Sequence, residues 1–578
     1  MKNSSPILVT IVLFALLVAF QQPSPSEANI LETNLEAAIK LDAKFLATCG
    51  ESPINFRNSG GSAPLLEGLG SHTFPISGAD ESSQRYFNQG LNLAYGFNHN
   101  EAYRSFKEAS KLSEDASMPY WGQAYAIGPN INDPEIDLER RRTAYEMLAI
   151  AASKLEKATD LERKLIEALR SRYRKVADSI LVDNEAYMTK MKSVAQQFPD
   201  HADVQTLYAA AIMNTMPWDY WSRKLEPRTN TIQARDALDR AIAINEAHPG
   251  AHHFRIHLME LPFPDKAAES GDALGPLMPG AGHMVHMPSH AYIRVGRYKD
   301  ALESNQKAII ADEDYLSQCY SQGVYPLGYY PHNIHFLWSA ATQMGHRETA
   351  IAAARKTAEK VSIGLLEGSA SFQEFAAIPY QAYVRFGEWD ALLTKPDPGS
   401  QYQHLKVYWH YGRALAFIAK GNLQEAEEEL NTLQTMSEDE SLSSLVLFAG
   451  NTTHQVAQIA YNIVGGELSA AKNEPEQAKT FFTTAIEAED ALSYSEPPAW
   501  HLSTRLNYGD FLVEMGQFEE ATATFEEELN VWRNNGWALK GLYNALKGQG
   551  EMEKCDNVQR QLKESWKYAD IEIKSAVL

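Results

Sequence analysis

The stretch "AGHMVHMPSHAYIRVGRYKDA", residues 281–301, opens with three histidines in eight positions and closes on a turn motif. The closing "GRYKDA" has the form Gly-x-(aromatic or Leu)-x-x-(Ala or Leu). The same form returns as "GEWDAL" ending at Leu392, "GNLQEA" ending at Ala426 and "GQFEEA" ending at Ala521. A glycine followed by this apolar spacing marks a tight turn between two antiparallel helices. Leu392 and Ala426 are 34 residues apart, as are Ala267 and Ala301. A fixed period of that size predicts stacked helical hairpins, each burying its apolar face against the next.

Other positions keep the same register. Ala102 is followed four residues on by Phe106, Ala478 by Phe482 and Ala521 by Phe525. "NGWALKGLYNAL" carries Trp537 and Gly541, and Gly90 takes the same glycine position in "QRYFNQGLNLAYGFNHNEAYRSF". The small residues let paired helices approach and the large ones fill the holes between neighbours. From about residue 83 to 578 the chain resembles the tetratricopeptide-repeat (TPR) family, in an exported bacterial form with a histidine-rich groove. The resemblance implies an all-α, tetratricopeptide-type helical-hairpin solenoid of about ten hairpins, some of them irregular. The segments around 135–245 match the pattern poorly.

The domain boundaries follow. Residues 1–28 read as a signal peptide, with Lys2 as the positive start, "ILVTIVLFALLVAF" (Ile7–Phe20) as the apolar core and small residues up to Ala28. Residues 29–82 read as an N-terminal helix and an irregular Gly/Ser/Pro-rich lead-in. Residues 83–250 are N-terminal helical repeats, 251–365 histidine-rich repeats and 366–578 C-terminal helical repeats. The protein is expected to be exported, periplasmic or secreted, with no stable membrane span after signal cleavage, because the apolar core is shorter than a spanning helix needs. Cys49, Cys319 and Cys555 are too few and too scattered for a disulfide framework. The formal charge of −22 works against nucleic acid as a partner.

Counting back from "GRYKDA" places His283, His286 and His290 at positions two, five and nine of their repeat. Their offsets put them on one helical face. In the family that face lines the concave groove, where ligands bind. Counting from "GHRETA" (345–350) puts His332 and His335 at two and five of the next repeat, and "HHFRIHLME" carries His253, His257 and Glu260 on one face. Residues 248–335 hold nine of the 17 histidines, where even spreading would give about 2.6. Imidazoles at i, i+3 or i, i+4 bring two nitrogens onto one cation, so zinc, copper or iron is the expected cofactor. Glu260 is the candidate catalytic carboxylate, as a ligand or as a base on bound water. His248, His252 and His346 read as turn residues, and "SEPPAW" (495–500) as a linker.

Pro288 sets a condition on this reading, because a proline suits only a first turn or a kink. A helix beginning near Met284 keeps the three imidazoles together, and one beginning at Pro288 leaves His283 and His286 in a loop. The 49 residues from Ala301 to Ala350 hold about 15 more than the repeat needs, as a Tyr-rich loop with Tyr325 and Tyr329 as candidate ligand-binding residues. Arg294 is either a holder of an anionic group or the partner of an acidic neighbour. Neither a GxxxxGK[ST] loop nor a GxSxG elbow occurs.

Three functional classes fit. The first is an interaction scaffold binding a protein or peptide partner, or a small polar ligand, in the groove. The second is a metal-dependent enzyme, hydrolase or oxidase, built on the histidines. The third is an accessory protein of an extracytoplasmic polysaccharide-degradation or nutrient-uptake system.

Overall fold

The computed structural model describes residues 63–222, 224–318, 325–367 and 369–578. The signal sequence, the helix expected before residue 63, Cys49 and Cys319 lie outside the described residues. Two units divide the chain: one comprises Pro53–Val361 with Leu366–Leu578, and Ser362–Leu365 belongs to the other. The hairpins belong to the first.

Helices follow one another in antiparallel pairs, as the turn glycines predict. They run α1 Glu81–Tyr95 with α2 His99–Leu112, α3 Met118–Ala126 with α4 Leu138–Ser153, and α5 Asp160–Arg170 with α6 Asn184–Gln197. Next come α7 Ala202–Met213 with α8 Thr231–Ile244 and α9 Pro249–Met259 with α10 Pro264–Leu274. The seeding stretch forms α11 Gly282–His286 and α12 Pro288–Arg294, which together pair with α13 Tyr298–Gln318. After it come α14 Tyr330–Gln343 with α15 Arg347–Glu359, α16 Ala370–Arg385 with α17 Trp389–Leu393, and α18 Gln403–Ala419 with α19 Leu423–Glu438. The array ends with α20 Thr453–Ala471 and α21 Pro475–Asp490, α22 Thr504–Glu514 and α23 Phe518–Val531, and α24 Gly536–Gln549 and α25 Met552–Ser565. The protein is an all-α solenoid of tetratricopeptide-type hairpins. Its named strands among the described residues are β1 Tyr173–Val176 and β2 Ser179–Val182, an antiparallel pair inside the region where the repeat pattern fades.

Two sequence features set the geometry of each hairpin. The motif glycines Gly296, Gly345, Gly387, Gly421 and Gly516 have φ between 66° and 77°, the left-handed conformation that a turn between antiparallel helices requires and that a Cβ resists. The aromatic of the Ala-x3-Phe element is the wedge. A Cβ on Gly90 in α1 would meet the Phe106 ring at 2.8 Å, and one on Gly122 in α3 would meet it at 2.4 Å, so Phe106 fills the notch between its own hairpin and the next. Phe525 does the same between Gly509 and Gly541.

Pro288 occupies the first turn of α12, and Met287 before it keeps helical angles (φ −50°, ψ −37°). The helical path therefore runs from Gly282 with a kink where proline cannot donate. Farther on, the last hairpins turn back onto the middle ones. Tyr298 donates its hydroxyl proton to the Arg533 carbonyl (2.8 Å), and the Trp537 indole donates to the Thr342 carbonyl (2.9 Å). Asp570 accepts from the backbone N–H groups of Arg347 (2.6 Å) and Glu348 (2.9 Å) at the start of α15. This return places the connector between α21 and α22 beside α12.

The wedge predicts a graded response. Gly122→Ala should lower unfolding stability by about 1–3 kcal/mol through overpacking, and Phe106→Ala by about 3–5 kcal/mol through the cavity it leaves. Urea unfolding followed by far-ultraviolet circular dichroism measures both.

Candidate metal centre

The histidines of the central hairpins lie inside the protein. His253, His257, His283, His286 and His290 are each at most 5% exposed, and His332 is half-buried. They gather into two trios, His253–His257–His283 and His286–His290–His332, with the ligand atoms of each trio within 4.8 Å of one another. Each trio is an i, i+4 pair on one first helix, completed by a histidine from the start of the next first helix. His253 and His257 lie on α9 and are completed by His283 on α11. His286 and His290 span the Pro288 kink and are completed by His332 on α14. The second trio is the first displaced by one repeat: 33 positions separate His253 from His286 and His257 from His290.

His253 Nε2 and His257 Nε2 are 3.1 Å apart, and His286 Nε2 and His290 Nε2 are 3.0 Å apart. Two nitrogens bound to one tetrahedral ion at 2.0–2.1 Å stand about 3.3 Å apart, so both pairs have the bite of a shared cation.

The outer ring nitrogens decide what these inner atoms carry. His253 Nδ1 is 2.5 Å from the Tyr95 carbonyl oxygen and donates to it. His286 Nδ1 donates to Asn305 Oδ1 (2.7 Å), whose orientation is fixed because Asn305 Nδ2 donates to the Ala301 carbonyl (2.7 Å). His290 Nδ1 faces two carboxylates, Glu260 Oε2 at 3.2 Å and Glu496 Oε2 at 3.3 Å, an ion-pair arrangement off the line of an ideal hydrogen bond. With both Nδ1 protons turned outward, His286 and His290 aim their Nε2 lone pairs at each other. A cation, proton or metal, has to stand between them. Partners of this outward kind are what orient metal-bound imidazoles and raise their basicity.

The electrostatics agree. Burial, reinforced by neighbouring imidazoles, holds His257 and His283 well below the ordinary histidine range, and burial pushes His253 down to about 3. Burial likewise lowers His286 and His332. These rings therefore stay neutral and ligand-competent far below the 6.5 at which free imidazole protonates. His290 is the exception: burial acts to lower it, but the carboxylates of Glu260 and Glu496 prevail and hold it raised. Burial pushes Glu260 up against the pull of His290.

Among the other sequence candidates, His335 turns away from the trios and stacks near Trp338 (5.3 Å between ring centroids) with Phe375 at its edge (5.7 Å). Arg294 pairs with an acidic neighbour, its Nε 3.8 Å from Glu496 Oε1, and its guanidinium lies over the Tyr494 ring. Tyr325 donates to Asp312 Oδ1 (2.7 Å), and its hydroxyl accepts from the His283 backbone N–H (3.3 Å). Tyr329 sets its ring 4.7 Å from that of His283 and accepts from Asn132 Nδ2 (2.9 Å). Glu260 lies behind His290, with Oε2 4.0 Å from His257 Nδ1.

Several contributors carry no local sequence signal. The connector read as a linker delivers Glu496. Phe97 stacks on His257 and His283, and Trp218 packs edge-to-face with His257 (5.0 Å between centroids). His248, read as a turn residue, joins His72 and Asp203. The Asp203 carboxylate accepts from His72 Nε2 (2.8 Å), the Tyr95 hydroxyl (2.9 Å) and His248 Nε2 (3.2 Å), while His248 Nδ1 accepts from the Ala251 N–H. That network is internally satisfied, and it anchors Tyr95, whose carbonyl orients His253.

No family model matches the chain and no curated protein matches it. Among solved structures, similarity extends to the human IFIT1 dimer with PPP-AAAA (14% identity, 84% of this chain and 91% of that one, TM-score 0.31). It also extends to Naa15/Naa10 bound to HypK-THB (11% identity, 85% and 90%, TM-score 0.22) and to the TPR domain of P58(IPK) (10% identity, 82% and 99%, TM-score 0.20). At these scores the matches say nothing about what this chain binds; its repeat architecture stands on its own hairpins.

The buried titratable groups predict the acid limb of stability. A histidine lowered to about 3 in the folded state, as are His253 and His335, contributes stability that is present above 6.5 and lost as pH falls. The slope is roughly 1.4 kcal/mol per pH unit for each such ring. Glu467 and Glu489, raised by burial to about 7, act oppositely between their unfolded value of 4.5 and 7. Metal-free protein should therefore lose stability most steeply below about 4.5, and His335→Gln should make that limb shallower. Urea midpoints measured from neutral pH down to the acid transition test this.

Proposed function

We propose that the protein is an exported repeat scaffold carrying a transition-metal centre, with one ion of zinc, copper or iron in each histidine trio. The observation that carries this reading is the pair of facing Nε2 atoms at 3.0 Å on His286 and His290, whose Nδ1 protons are both engaged outward. The same construction on the neighbouring hairpin supports a second ion. Three imidazoles leave a fourth position free on each ion, the pattern of metal sites that do chemistry rather than only brace a fold. Glu260 and Glu496 orient His290 and can take its Nδ1 proton. The surrounding array supplies rigidity, and its remaining first-helix face is where a protein or peptide partner would dock.

Support for export comes from the Lys2, Ile7–Phe20 and Ala28 arrangement. Among the described residues no helix is long and apolar enough to cross a membrane. Sequencing of the mature protein should find Asn29 at or near its start; recovery with Met1 retained in the cytosol would refute export.

Elemental analysis of reconstituted protein tests the centre. Two ions per chain are expected in the wild type. One is expected in His257→Gln, which impairs the first trio, and one in His286→Gln, which impairs the second, each variant checked for an unchanged circular dichroism spectrum. Substoichiometric metal in the wild type, or equal metal in all three, would sink the proposal.

Competition with a chelator resolves the outer partners. Glu496→Gln removes the charge but keeps the shape, and should weaken binding at the second trio by roughly 10–100-fold while sparing the first.

A further inference from the structure

We propose, resting on the reading that both trios hold metal, that the centre is a copper pair and that its substrate is dioxygen. Donor chemistry, charge and geometry each point to this assignment.

The six inward donors are all imidazole nitrogens, with no thiolate and no carboxylate among them. Iron in oxygen-activating sites takes a carboxylate beside two histidines, whereas all-imidazole ligation suits zinc and copper alike, so charge has to choose between them. Charge is the stricter constraint. Five of the six rings are buried and His332 is half-buried, and the self-energy of a buried ion grows with the square of its charge. Two adjacent dications on six imidazoles, with only Glu260 and Glu496 behind them to offset four positive charges, are therefore costlier than two Cu(I) ions, which accept three-coordinate nitrogen ligation.

The geometry couples the trios. His257 and His290 have ring centroids 5.7 Å apart, and His283 and His286 5.8 Å. Rings of the two trios are thus next to one another, so ions held by the trios would be close neighbours. The walls are aromatic: Phe97 against His257 and His283, Phe336 against His286 and His290, with Tyr329 and Trp218 at the rim. Trp218, in contact with His257, is 43% exposed and reaches solvent. Apolar walls favour a small uncharged molecule over an anion.

The electron count closes. Each Cu(I) gives one electron and becomes Cu(II); dioxygen gains both, its O–O bond order falls from two to one, and it becomes peroxide. The centre gains two positive charges on copper and two negative charges on oxygen, so the net charge inside the protein is unchanged by the reaction. Departure of the product as hydrogen peroxide takes two protons from two water molecules, and the two hydroxides left behind balance the charge gained by the copper pair.

The test uses the full chain, stripped of metal and loaded anaerobically with Cu(I). Copper content, oxygen uptake at an electrode, peroxide after acid quench and the electron paramagnetic resonance spectrum are then measured. Expected are two coppers per chain, one dioxygen consumed for each two coppers, peroxide recovered in equal amount, and no resonance from the oxidised pair because the two Cu(II) spins couple. His257→Gln should keep one copper, lose the paired uptake and show an isolated Cu(II) resonance. His332→Gln on the other trio should behave alike, so that poor folding of either variant leaves the test intact. Loading with Zn(II) should abolish uptake. Two coppers bound without dioxygen uptake, or with two uncoupled Cu(II) signals, would overturn the dioxygen assignment while leaving the metal sites standing. Failure to bind a second copper would overturn the metal reading beneath it.

Discussion

Close approach of each hairpin to the next is the constraint on which everything else in this protein depends. Phe106 between Gly90 and Gly122, and Phe525 between Gly509 and Gly541, set it near the two ends of the array, and Gly271 against Pro288 sets it among the histidine hairpins. That spacing places successive first helices side by side at a constant offset. Without it, a histidine at the start of one helix could not meet a pair on the helix before. The clustering of the imidazoles is thus a by-product of repeat packing, and it occurs twice because the repeat recurs.

The two trios share a plan but differ in what stands behind them. The first is oriented by a backbone carbonyl, that of Tyr95, itself held by Asp203 and two further histidines. The second is oriented by Asn305 and by two carboxylates that converge on His290. One carboxylate lies 4.0 Å from His257 in the first trio and two lie within 3.3 Å of His290 in the second, so the two positions are inequivalent despite their matching places in the repeat. This inequivalence is a property of tertiary packing, since Glu496 reaches α12 only because the C-terminal hairpins return to the middle of the array.

The sequence by itself determined the hairpin architecture. The glycines needing a left-handed turn, the 34-residue spacing and the Ala-x3-Phe wedges are local requirements, and a local requirement leaves a local mark. It also determined which helices carry imidazoles, because the i, i+4 spacing of His253 with His257 and of His286 with His290 is a property of helix pitch. His283, His286 and His290 share a face on one helical path, as their spacing predicts. What spacing could not say was that the Pro288 kink lets His283 serve one trio while His286 and His290 serve the other.

Tertiary structure alone decided the rest. His335 has the same repeat-level pedigree as His332, yet it packs against Trp338 and Phe375, because a shift of three residues turns a side chain by about 60° on the helix and toward a different neighbour. Glu496, Asn305 and the Asp203 network left no mark that reading along the chain could find, since they meet their partners across as many as 206 positions. Whether the imidazoles face solvent or lie buried was also set by packing, and burial is what keeps them neutral, turns their outer protons toward fixed acceptors and leaves their inner lone pairs facing a common point. Pitch and period are written residue by residue, whereas convergence of distant segments depends on the free energy of the whole packed array, and only the folded chain reveals it.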